Sequence, residues 1–249
     1  RGFLAQWQSR QLAQWQQSMH PSAYRRLINN EDTSGEESYV TPEQVKNITI
    51  LTGPTDALPG HGRVVTAIDL GLKKDATAIA SVLSVPVPRG NPPILKLLAL
   101  DVLTGSFDDP VQLRTVESTF LSHLKRYGAY PVLIDPWSAA SLVQKYPGLI
   151  LEWPFTTGHV RELTSILYRV IADKQLSIYP AAGKMWQAGE EWDLQRELIN
   201  AVVKDCSYGQ RVDHKSDGYS DRLMALGMCV HYLLSESSVP LLRDARPPS

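Results

Sequence analysis

The stretch Val64-Val65-Thr66-Ala67-Ile68-Asp69-Leu70-Gly71 is an apolar, β-branched run that ends in one acid, with a glycine two residues later. Residues 75–83 then alternate as a second strand would. Together the two stretches predict a β-hairpin with Asp69 near its mouth. A carboxylate inside a buried strand is unfavourable unless it is paired or bound to a cation. Asp69 is therefore either a turn-capping residue at a strand end or a functional group.

The elements that follow this hairpin predict an α/β fold. A third strand over 94–104 completes an antiparallel meander, and a buried helix over 221–234 comes last. Between them the pattern predicts, in order, a helix over 110–128, a strand over 131–134, a helix over 137–145, a strand over 149–152, a helix over 159–173, an extended stretch over 175–179 and a helix over 186–203. A meander followed by helix–strand crossovers predicts a ribonuclease H-like mixed sheet, antiparallel meander plus parallel strands, flanked by helices.

The composition narrows the class of protein. A chain of 249 residues that is 43% apolar can form one substantial domain with further material beside it. The net charge of −1 gives no general basic field, although a local basic groove remains compatible with it. Two cysteines, Cys206 and Cys229, are too few for a disulfide framework or a cysteine zinc site. No apolar run reaches the roughly 18 residues of a membrane span.

Changes in composition along the chain predict three parts. Residues 1–62 contain a helix over 2–19, a polar stretch and a helix that starts at Thr41, and we expect a helical linker segment. Residues 63–234 form the predicted ribonuclease H-like domain. Residues 235–249 are rich in Pro, Ser and Arg and are expected to be a flexible tail. Because the chain begins without Met, we interpret it as part of a longer polypeptide.

Acidic residues recur where predicted elements end or begin. Asp69 ends the first strand, Asp135 ends the strand after the first crossover helix, and Asp217 and Asp221 stand at the start of the last helix. Taken singly, Asp135 has the pattern of a loop-starting residue and Asp221 that of an acid favoured by the helix dipole. Taken together, they can converge at one edge of the sheet, where their repulsion calls for a cation. Carboxylate oxygens suit Mg²⁺ or Mn²⁺, and two such ions can activate water and stabilise the leaving oxygen of a phosphodiester.

Neighbouring residues extend this candidate site. Asp75 is either an outer ligand or a turn residue, with the turn favoured. His214 can orient a water, assist proton transfer or touch phosphate, or else be a solvated loop histidine. Trp137 is expected in the core rather than as a platform for base stacking. Six basic residues are candidate contacts for DNA phosphates, and each is alternatively a solvated surface cation. They are Lys73, Lys74, Arg89, Arg211, Lys215 and Arg222.

Several of these motifs together resemble a known family. They are Ala67-Ile68-Asp69-Leu70-Gly71 with Lys74-Asp75-Ala76-Thr77-Ala78, then Leu133-Ile134-Asp135-Pro136, then Asp213-His214 and Gly218-Tyr219-Ser220-Asp221-Arg222-Leu223-Met224-Ala225-Leu226. Residues 64–234 resemble the nuclease domain of the large terminase subunit of tailed bacteriophages. Pro21-Ser22-Ala23-Tyr24-Arg25-Arg26-Leu27 is also similar to that family's connection between its ATPase and nuclease domains.

The resemblance implies a function. A terminase nuclease domain is a divalent-metal-dependent endonuclease with a ribonuclease H-like fold, and it cuts double-stranded viral DNA during genome packaging. By motif position Asp69, Asp135, Asp221 and Asp217 would be ligands of Mg²⁺ or Mn²⁺, and His214 would be a further catalytic residue. The implied partners are double-stranded DNA, the missing ATPase domain, the portal and the small terminase subunit, in the cytoplasm of the host cell and away from membranes.

Other classes of protein remain as alternatives. A resolvase or transposase core would share the acids but not the linker motif before the domain. A non-catalytic DNA-binding module of a packaging motor would be favoured by loss of one acid, and all three are present. An actin-like ATPase would need a second glycine-rich phosphate turn. The chain also lacks a Gly-x-x-x-x-Gly-Lys-Ser/Thr loop, so we do not expect it to hydrolyse ATP.

Overall fold

The computed structural model describes residues 6–18, 24, 28–29, 37–55, 62–72, 75–88, 91–187, 189–206, 209–214 and 219–235. In chain order, the elements of these residues are α1 (Gln6–Ser18), β1 (Glu37–Ser38), α2 (Pro42–Ile48), β2 (Arg63–Asp69), β3 (Thr77–Val85), β4 (Ile94–Leu103), α3 (Leu113–Tyr127), β5 (Val132–Ile134), α4 (Pro136–Lys145), β6 (Ile150–Glu152), α5 (Thr157–Ala172), β7 (Leu176–Ser177), β8 (Met185–Gln187), β9 (Glu190–Trp192), α6 (Leu194–Asn200), β10 (Ala201–Cys206), β11 (Gly209–His214) and α7 (Asp221–Ser235).

The centre of the molecule is a six-stranded mixed sheet in the order β6-β5-β2-β3-β4-β7. Strands β2, β3 and β4 form an antiparallel meander. Strands β5 and β6 run parallel to β2, and β7 runs parallel to β4. The predicted ribonuclease H-like α/β fold with a mixed sheet is confirmed. Helix–strand crossovers make β5 and β6 parallel to β2, which brings the carboxyl ends of all three to one edge.

Helices cover both faces of this sheet. Helix α7 packs across β2 and β3 on one face, and α3 packs on β2, β3 and β4. Alternation along β2 divides its side chains between the two layers: Val65 and Ala67 join the cluster that contains α7, while Ile68 packs with Val116 and Phe120 of α3. Because both faces are covered, β2 is buried over all its interior positions, as its apolar sequence predicts.

Helix α7 passes very close to helix α5 at Gly227. A Cβ built there would lie 2.5 Å from Cδ2 and 2.9 Å from Cγ of Leu163, which is itself fully buried. A methyl group can fit only if the leucine or the helix moves. Gly227 is therefore a packing requirement of the two-helix contact.

Replacing Gly227 by Ala is expected to lower the free energy of unfolding by about 1–2 kcal/mol, because overpacking outweighs the better helix propensity of alanine. Urea unfolding followed by circular dichroism measures it. Gly158→Ala, in the first turn of α5, is the matched control, since the nearest atom to its Cβ is 4.0 Å away. A Gly227→Ala protein as stable as the Gly158→Ala protein would contradict the close packing.

Residues 186–203 differ from the sequence prediction of one helix. They form part of the β8–β9 hairpin, the short helix α6 and the start of β10. Gly189 takes the left-handed conformation, with φ of 83°, in the hairpin turn, and the side chain of Asp193 caps α6. Strand β10 pairs with β1 and β11 in a separate three-stranded sheet, so the polar stretch after residue 205 also contains a strand. Tertiary pairing here overrides the helical spacing of the apolar residues.

Residues 37–55 pack against the same core as the central sheet. Thr41 forms the predicted capping box with Gln44 at the start of α2. Val45 and Ile48 of that helix are buried, and the hydroxyl of Tyr39 donates to the carbonyl of Thr164 at 2.6 Å. These residues therefore belong structurally with the sheet, although they precede the predicted boundary at residue 62.

Helix α1 agrees with the predicted helix over 2–19. Most of the predicted short helix over 22–27, and the tail after residue 235, lie outside the described residues. Of the helices in the described ranges, none combines the length and the apolar character that crossing a membrane requires.

Candidate metal centre

Two of the predicted acids are brought together by parallel strand pairing. Ile68 of β2 lies opposite Ile134 of β5, and the next residue on each strand is an aspartate, Asp69 and Asp135. Neighbouring strands are about 4.8 Å apart, so the two aspartates leave the sheet side by side. The backbone N–H of Phe155, which follows β6, donates to Oδ1 of Asp135 at 3.4 Å. The predicted convergence of these two acids at one edge is therefore present.

The third acid comes from the first turn of α7. Asp221 is half-buried, and the backbone N–H of Ala76, just before β3, lowers the pKa of its carboxyl group against the effect of burial. The start of α7 therefore lies close to the turn between β2 and β3. Asp75 lies in that turn, is exposed, and interacts electrostatically with both Asp69 and Asp221. It is thus a fourth acid at the same edge.

Burial and the charges of neighbouring carboxylates raise the pKa of two of these groups, Asp69 and Asp221. Burial, followed by the charges of Asp221, Glu197, Asp75 and Asp135, raises the pKa of Asp69 well above its usual value. Burial and then the charge of Asp75 raise the pKa of Asp221 to about 6, despite the opposing effect of Arg222. Carboxyl groups in such surroundings favour either a proton or a cation. We refer to Asp69, Asp75, Asp135 and Asp221 as the acidic cluster.

A tight turn holds the cluster's first two members in place. The carbonyl of Gly71 accepts a hydrogen bond of 2.6 Å from the hydroxyl of Thr77. A Cβ on Gly71 would lie 2.5 Å from the carbonyl oxygen of Asp75. The chain can therefore fold back from Asp69 to Asp75 only with glycine at this position. This gives a physical reason for the Asp-x-Gly spacing in the sequence.

The prediction that Arg222 contacts DNA is wrong, because its side chain is fully buried. Its Nη1 pairs with Glu197 Oε1 at 2.6 Å, Nη2 donates to Gln187 Oε1 at 2.6 Å, and Nε donates to the carbonyl of Gly183 at 2.8 Å. The other oxygen of Glu197 accepts from the backbone N–H of Leu223 at 3.0 Å. This network fixes the first turn of α7 and with it the backbone that carries Asp221.

Sequence reasoning did not identify Glu197. It is fully buried, and burial raises its pKa to about 7 although the charge of Arg222 acts in the opposite direction. Each of its oxygens accepts a hydrogen bond, one from Arg222 and one from Leu223, so Glu197 is a structural partner of α7. The residue lies within the stretch predicted as one long helix, and no local pattern marks it as the partner of an arginine 25 residues later.

The remaining predicted site residues fall into two groups. Lys73, Lys74, Arg89, Lys215 and Asp217 lie outside the described residues. Arg211 and His214 lie on β11, where they pair in register with Lys204 and Ala201 of β10. Their roles stay predictions. Trp137, expected in the core, is instead 91% exposed just beyond Asp135.

The acidic cluster suits a hard divalent cation by donor type and charge, since every candidate ligand is a carboxylate oxygen. Among the described residues, however, no three His, Cys, Asp or Glu side chains form a group that could hold an ion as they stand. An ion shared by Asp69, Asp135 and Asp221 would therefore draw these carboxylates closer together.

The raised pKa of Asp221 predicts how stability depends on pH without metal. The folded protein keeps the proton up to about pH 6, whereas an unfolded aspartate releases it near 3.8. Stability from this group is therefore present at low pH and falls as pH rises between about 4 and about 6. In EDTA at neutral pH, Asp221→Asn should exceed the wild type by on the order of 2 kcal/mol in free energy of unfolding.

Urea titrations of the wild type and Asp221→Asn at several pH values measure the difference in their free energies of unfolding. This difference should grow from about pH 4 to about pH 6 and then level off. Comparing the two proteins at each pH removes the contributions of the groups that do not interact with Asp221, while its coupling to Asp69 and Glu197 remains part of the difference. Addition of Mg²⁺ or Mn²⁺ should stabilise the wild type and leave Asp221→Asn nearly unchanged. A difference that is constant with pH would contradict the perturbed state of Asp221.

Solved structures share this arrangement of sheet and helices. The large terminase nuclease from thermophilic phage G20c, solved with bound magnesium, matches with a TM-score of 0.56 and 16% identity, over 79% of this chain and 98% of that one. The chain has the fold of a phage large-terminase nuclease domain. The G20c nuclease has also been solved with bound cobalt.

The terminase nuclease fold extends to longer proteins. The HK97 bacteriophage large terminase matches with a TM-score of 0.60 and 14% identity, over 92% of this chain and 51% of that one. The large terminase of another thermophilic bacteriophage matches with a TM-score of 0.62 and 11% identity, over 93% and 53%. The chain thus spans about half the length of these terminases. No protein-family model and no curated protein sequence matches it.

Proposed function

We propose that the chain is a metal-dependent endonuclease that cleaves double-stranded viral DNA during genome packaging, as the nuclease domain of a large terminase. The observation that carries the proposal is the meeting of Asp69, Asp135 and Asp221 at one edge of a terminase-type sheet. A nuclease role accounts for three carboxylates in a position where they destabilise one another. A purely structural site would have no reason to keep them together.

The charge of the site supports two divalent ions. When ionised, the acidic cluster, Glu197 and Asp217 would carry six negative charges, and Arg222 offsets one of them. Two Mg²⁺ or Mn²⁺ ions would balance four of the five that remain. Bound in a pair, such ions supply an activated water and stabilise the leaving oxygen of a phosphodiester.

Each residue of the chain then has its own task. Asp69, Asp135, Asp221 and Asp217 would hold the ions, and Asp75 would add charge from the hairpin turn. The buried pair of Arg222 and Glu197 keeps the start of α7 in place.

Further residues would act on the substrate. His214 would orient a water or assist proton transfer. Phosphate contacts would come from Lys73, Lys74, Arg211 and Lys215, and such contacts bind DNA without reading its sequence.

The proposed partners follow from the longer terminases. The share of this chain that finds a counterpart rises from 79% against the isolated G20c nuclease to 92% against the HK97 protein. This rise supports a missing ATPase domain in the same polypeptide, joined through the amino-terminal residues. The portal and the small terminase subunit are further proposed partners, and the proposed location is the cytoplasm of the host cell, without membrane attachment.

A second candidate is a non-catalytic DNA-binding module of a packaging motor. The observation in its favour is that the described acids form no group able to hold an ion as they stand. Another ribonuclease H-like nuclease, a resolvase or transposase core, also remains compatible with the acids. It would prefer branched or specific DNA sites, whereas a terminase nuclease would cut duplex DNA generally.

Incubation of purified protein with supercoiled plasmid tests the proposal. We expect nicked and then linear DNA with Mg²⁺ or Mn²⁺, little sequence preference at the mapped ends, and no cleavage in EDTA. DNA binding without cleavage at any ion concentration would support the non-catalytic module. Cleavage confined to branched substrates would support a resolvase.

A further inference from the structure

Two tryptophan side chains project into solvent near the acidic cluster. Trp137 is 91% exposed and Trp186 is 68% exposed, whereas Trp153 and Trp192 are buried. An indole is the largest apolar side chain, and leaving two of them in water forgoes a large contribution from burial. Single exposed apolar residues are common on proteins, so the argument depends on where these two lie.

Trp137 is presented rigidly beside Asp135. It follows Pro136, which fixes the backbone at the start of α4. It precedes Ala139, which is buried against the core and where the helix has a kink. Asp135 itself is tied to the backbone of Phe155. The backbone that carries the indole is thus held on both sides, two residues from a carboxylate of the cluster.

Trp186 belongs to β8, a strand that contacts the start of α7 through its next residue. Its neighbour Gln187 accepts a hydrogen bond from Arg222, the residue after Asp221. The turn that leads into β8 lies over the upper part of β4, because a Cβ on Gly183 would touch Leu100 and Val102 at 3.0 Å. In the sheet order, β2 and β3 separate β4 from β5, the strand that leads to Trp137. The backbone segments that carry the two indoles therefore lie on opposite sides of the strand that carries Asp69.

Uncharged contacts would complement the phosphate contacts proposed for Lys73, Lys74, Arg211 and Lys215. The acidic cluster repels phosphates, and two described cations of this region form ion pairs: Arg222 pairs with Glu197, and Lys184 pairs with Glu191 at 2.8 Å. Aromatic faces attract bases and sugars without adding charge. Such stacking tolerates any sequence, because every base has a π-face.

We infer that Trp137 and Trp186 bind substrate DNA on the two sides of the acidic cluster and hold the strand across Asp69. The inference rests on the proposed nuclease function and deepens it by naming binding residues for DNA. Both side chains would contact bases or sugars exposed where the duplex is distorted at the cleavage site. Neither is a ligand of a metal ion.

The test measures binding of a short fluorescein-labelled DNA duplex by anisotropy in Ca²⁺, an ion with the same preference for oxygen ligands. The variants are Trp137→Ala, Trp186→Ala, and Phe at each position. We expect each alanine variant to raise the dissociation constant about tenfold and the Phe variants to retain most affinity. The dependence of affinity on salt should stay unchanged, because an indole releases no counterions.

Ile94→Ala is the matched control. Ile94 is 43% exposed and begins β4, so it lies at the opposite end of the sheet. Wild-type affinity in both Trp→Ala variants would overturn the inference and point instead to a protein surface that these indoles contact. Equal losses in Phe and Ala variants would also overturn it, because stacking requires only an aromatic face.

Plasmid cleavage separates this result from the proposed function. If the wild type binds the duplex but does not cut, the nuclease proposal fails while the binding measurements still decide the role of the two indoles. If the wild type cuts, KM for DNA should rise about tenfold in each alanine variant with kcat within about twofold. A loss confined to kcat would overturn the inference.

Discussion

Asp69→Asn is expected to fold as the wild type does and to lose plasmid cleavage by at least about a thousandfold. Asp69 interacts electrostatically with every other member of the acidic cluster. Asparagine keeps its size but removes the charge that would hold a divalent ion. Metal-assisted catalysis supplies several kcal/mol of charge stabilisation, and a loss of about 4 kcal/mol corresponds to a thousandfold in rate. Initial rates of nicking in Mn²⁺ measure it, and Asp69→Ala should give the same loss.

Two controls accompany this experiment: the free energy of unfolding of Asp69→Asn, and a variant of an acid far from the acidic cluster. Because burial and neighbouring charges raise the pKa of Asp69, removing the carboxylate should stabilise the metal-free protein at neutral pH rather than unfold it. Asp173→Asn changes an exposed acid at the far end of α5 and should cleave as the wild type does. Full cleavage by Asp69→Asn would remove the acidic cluster as the catalytic centre. If Asp69→Asn failed to fold, the expectation that the Asp69 carboxylate destabilises the metal-free protein would be wrong.

The sequence was informative where local pattern and tertiary structure agree. The apolar runs of β2 and β3 predict buried strands, and the crossover through α3 and β5 places Asp69 and Asp135 on neighbouring parallel strands. The capping box at Thr41 follows from residue types three positions apart. In these cases a few adjacent residues are enough to specify the outcome.

Long-range pairing explains what sequence reasoning missed. The stretch 186–203 has helical spacing, but pairing of β10 with β1 and β11 makes its end extended. Arg222 follows Asp221, a candidate metal ligand, so its position in the sequence predicts a phosphate contact. Its burial is visible only once Glu197 and Gln187 are placed around it. Trp137 reads as core because tryptophan usually is, and only the packing of Ala139 shows that the indole points away.

Arg222→Met is expected to lower the free energy of unfolding by about 3–5 kcal/mol. The substitution keeps much of the buried volume but removes the cation that pairs with Glu197. The carboxylate of Glu197 is then a buried charge without a counter-charge, which is strongly destabilising. The pKa of Glu197, already about 7, should rise further because the charge of Arg222 lowers it in the wild type. Glu197 then takes up a proton, so the deficit should be smaller in acid than in alkali. Urea unfolding at several pH values measures both effects.

A double-mutant cycle tests whether the ion pair of Arg222 and Glu197, rather than the arginine alone, holds α7 in place. Glu197→Gln keeps an acceptor for the N–H of Leu223 and removes the unpaired buried charge. The double variant, with both Arg222→Met and Glu197→Gln, should therefore recover a large part of the lost stability. Lys145→Met breaks the exposed ion pair with Glu117 and should change stability little. Recovery of stability without recovery of cleavage would show that Arg222 also aligns Asp221. If Arg222→Met lost no more than Lys145→Met, the buried pair would not be what fixes the first turn of α7.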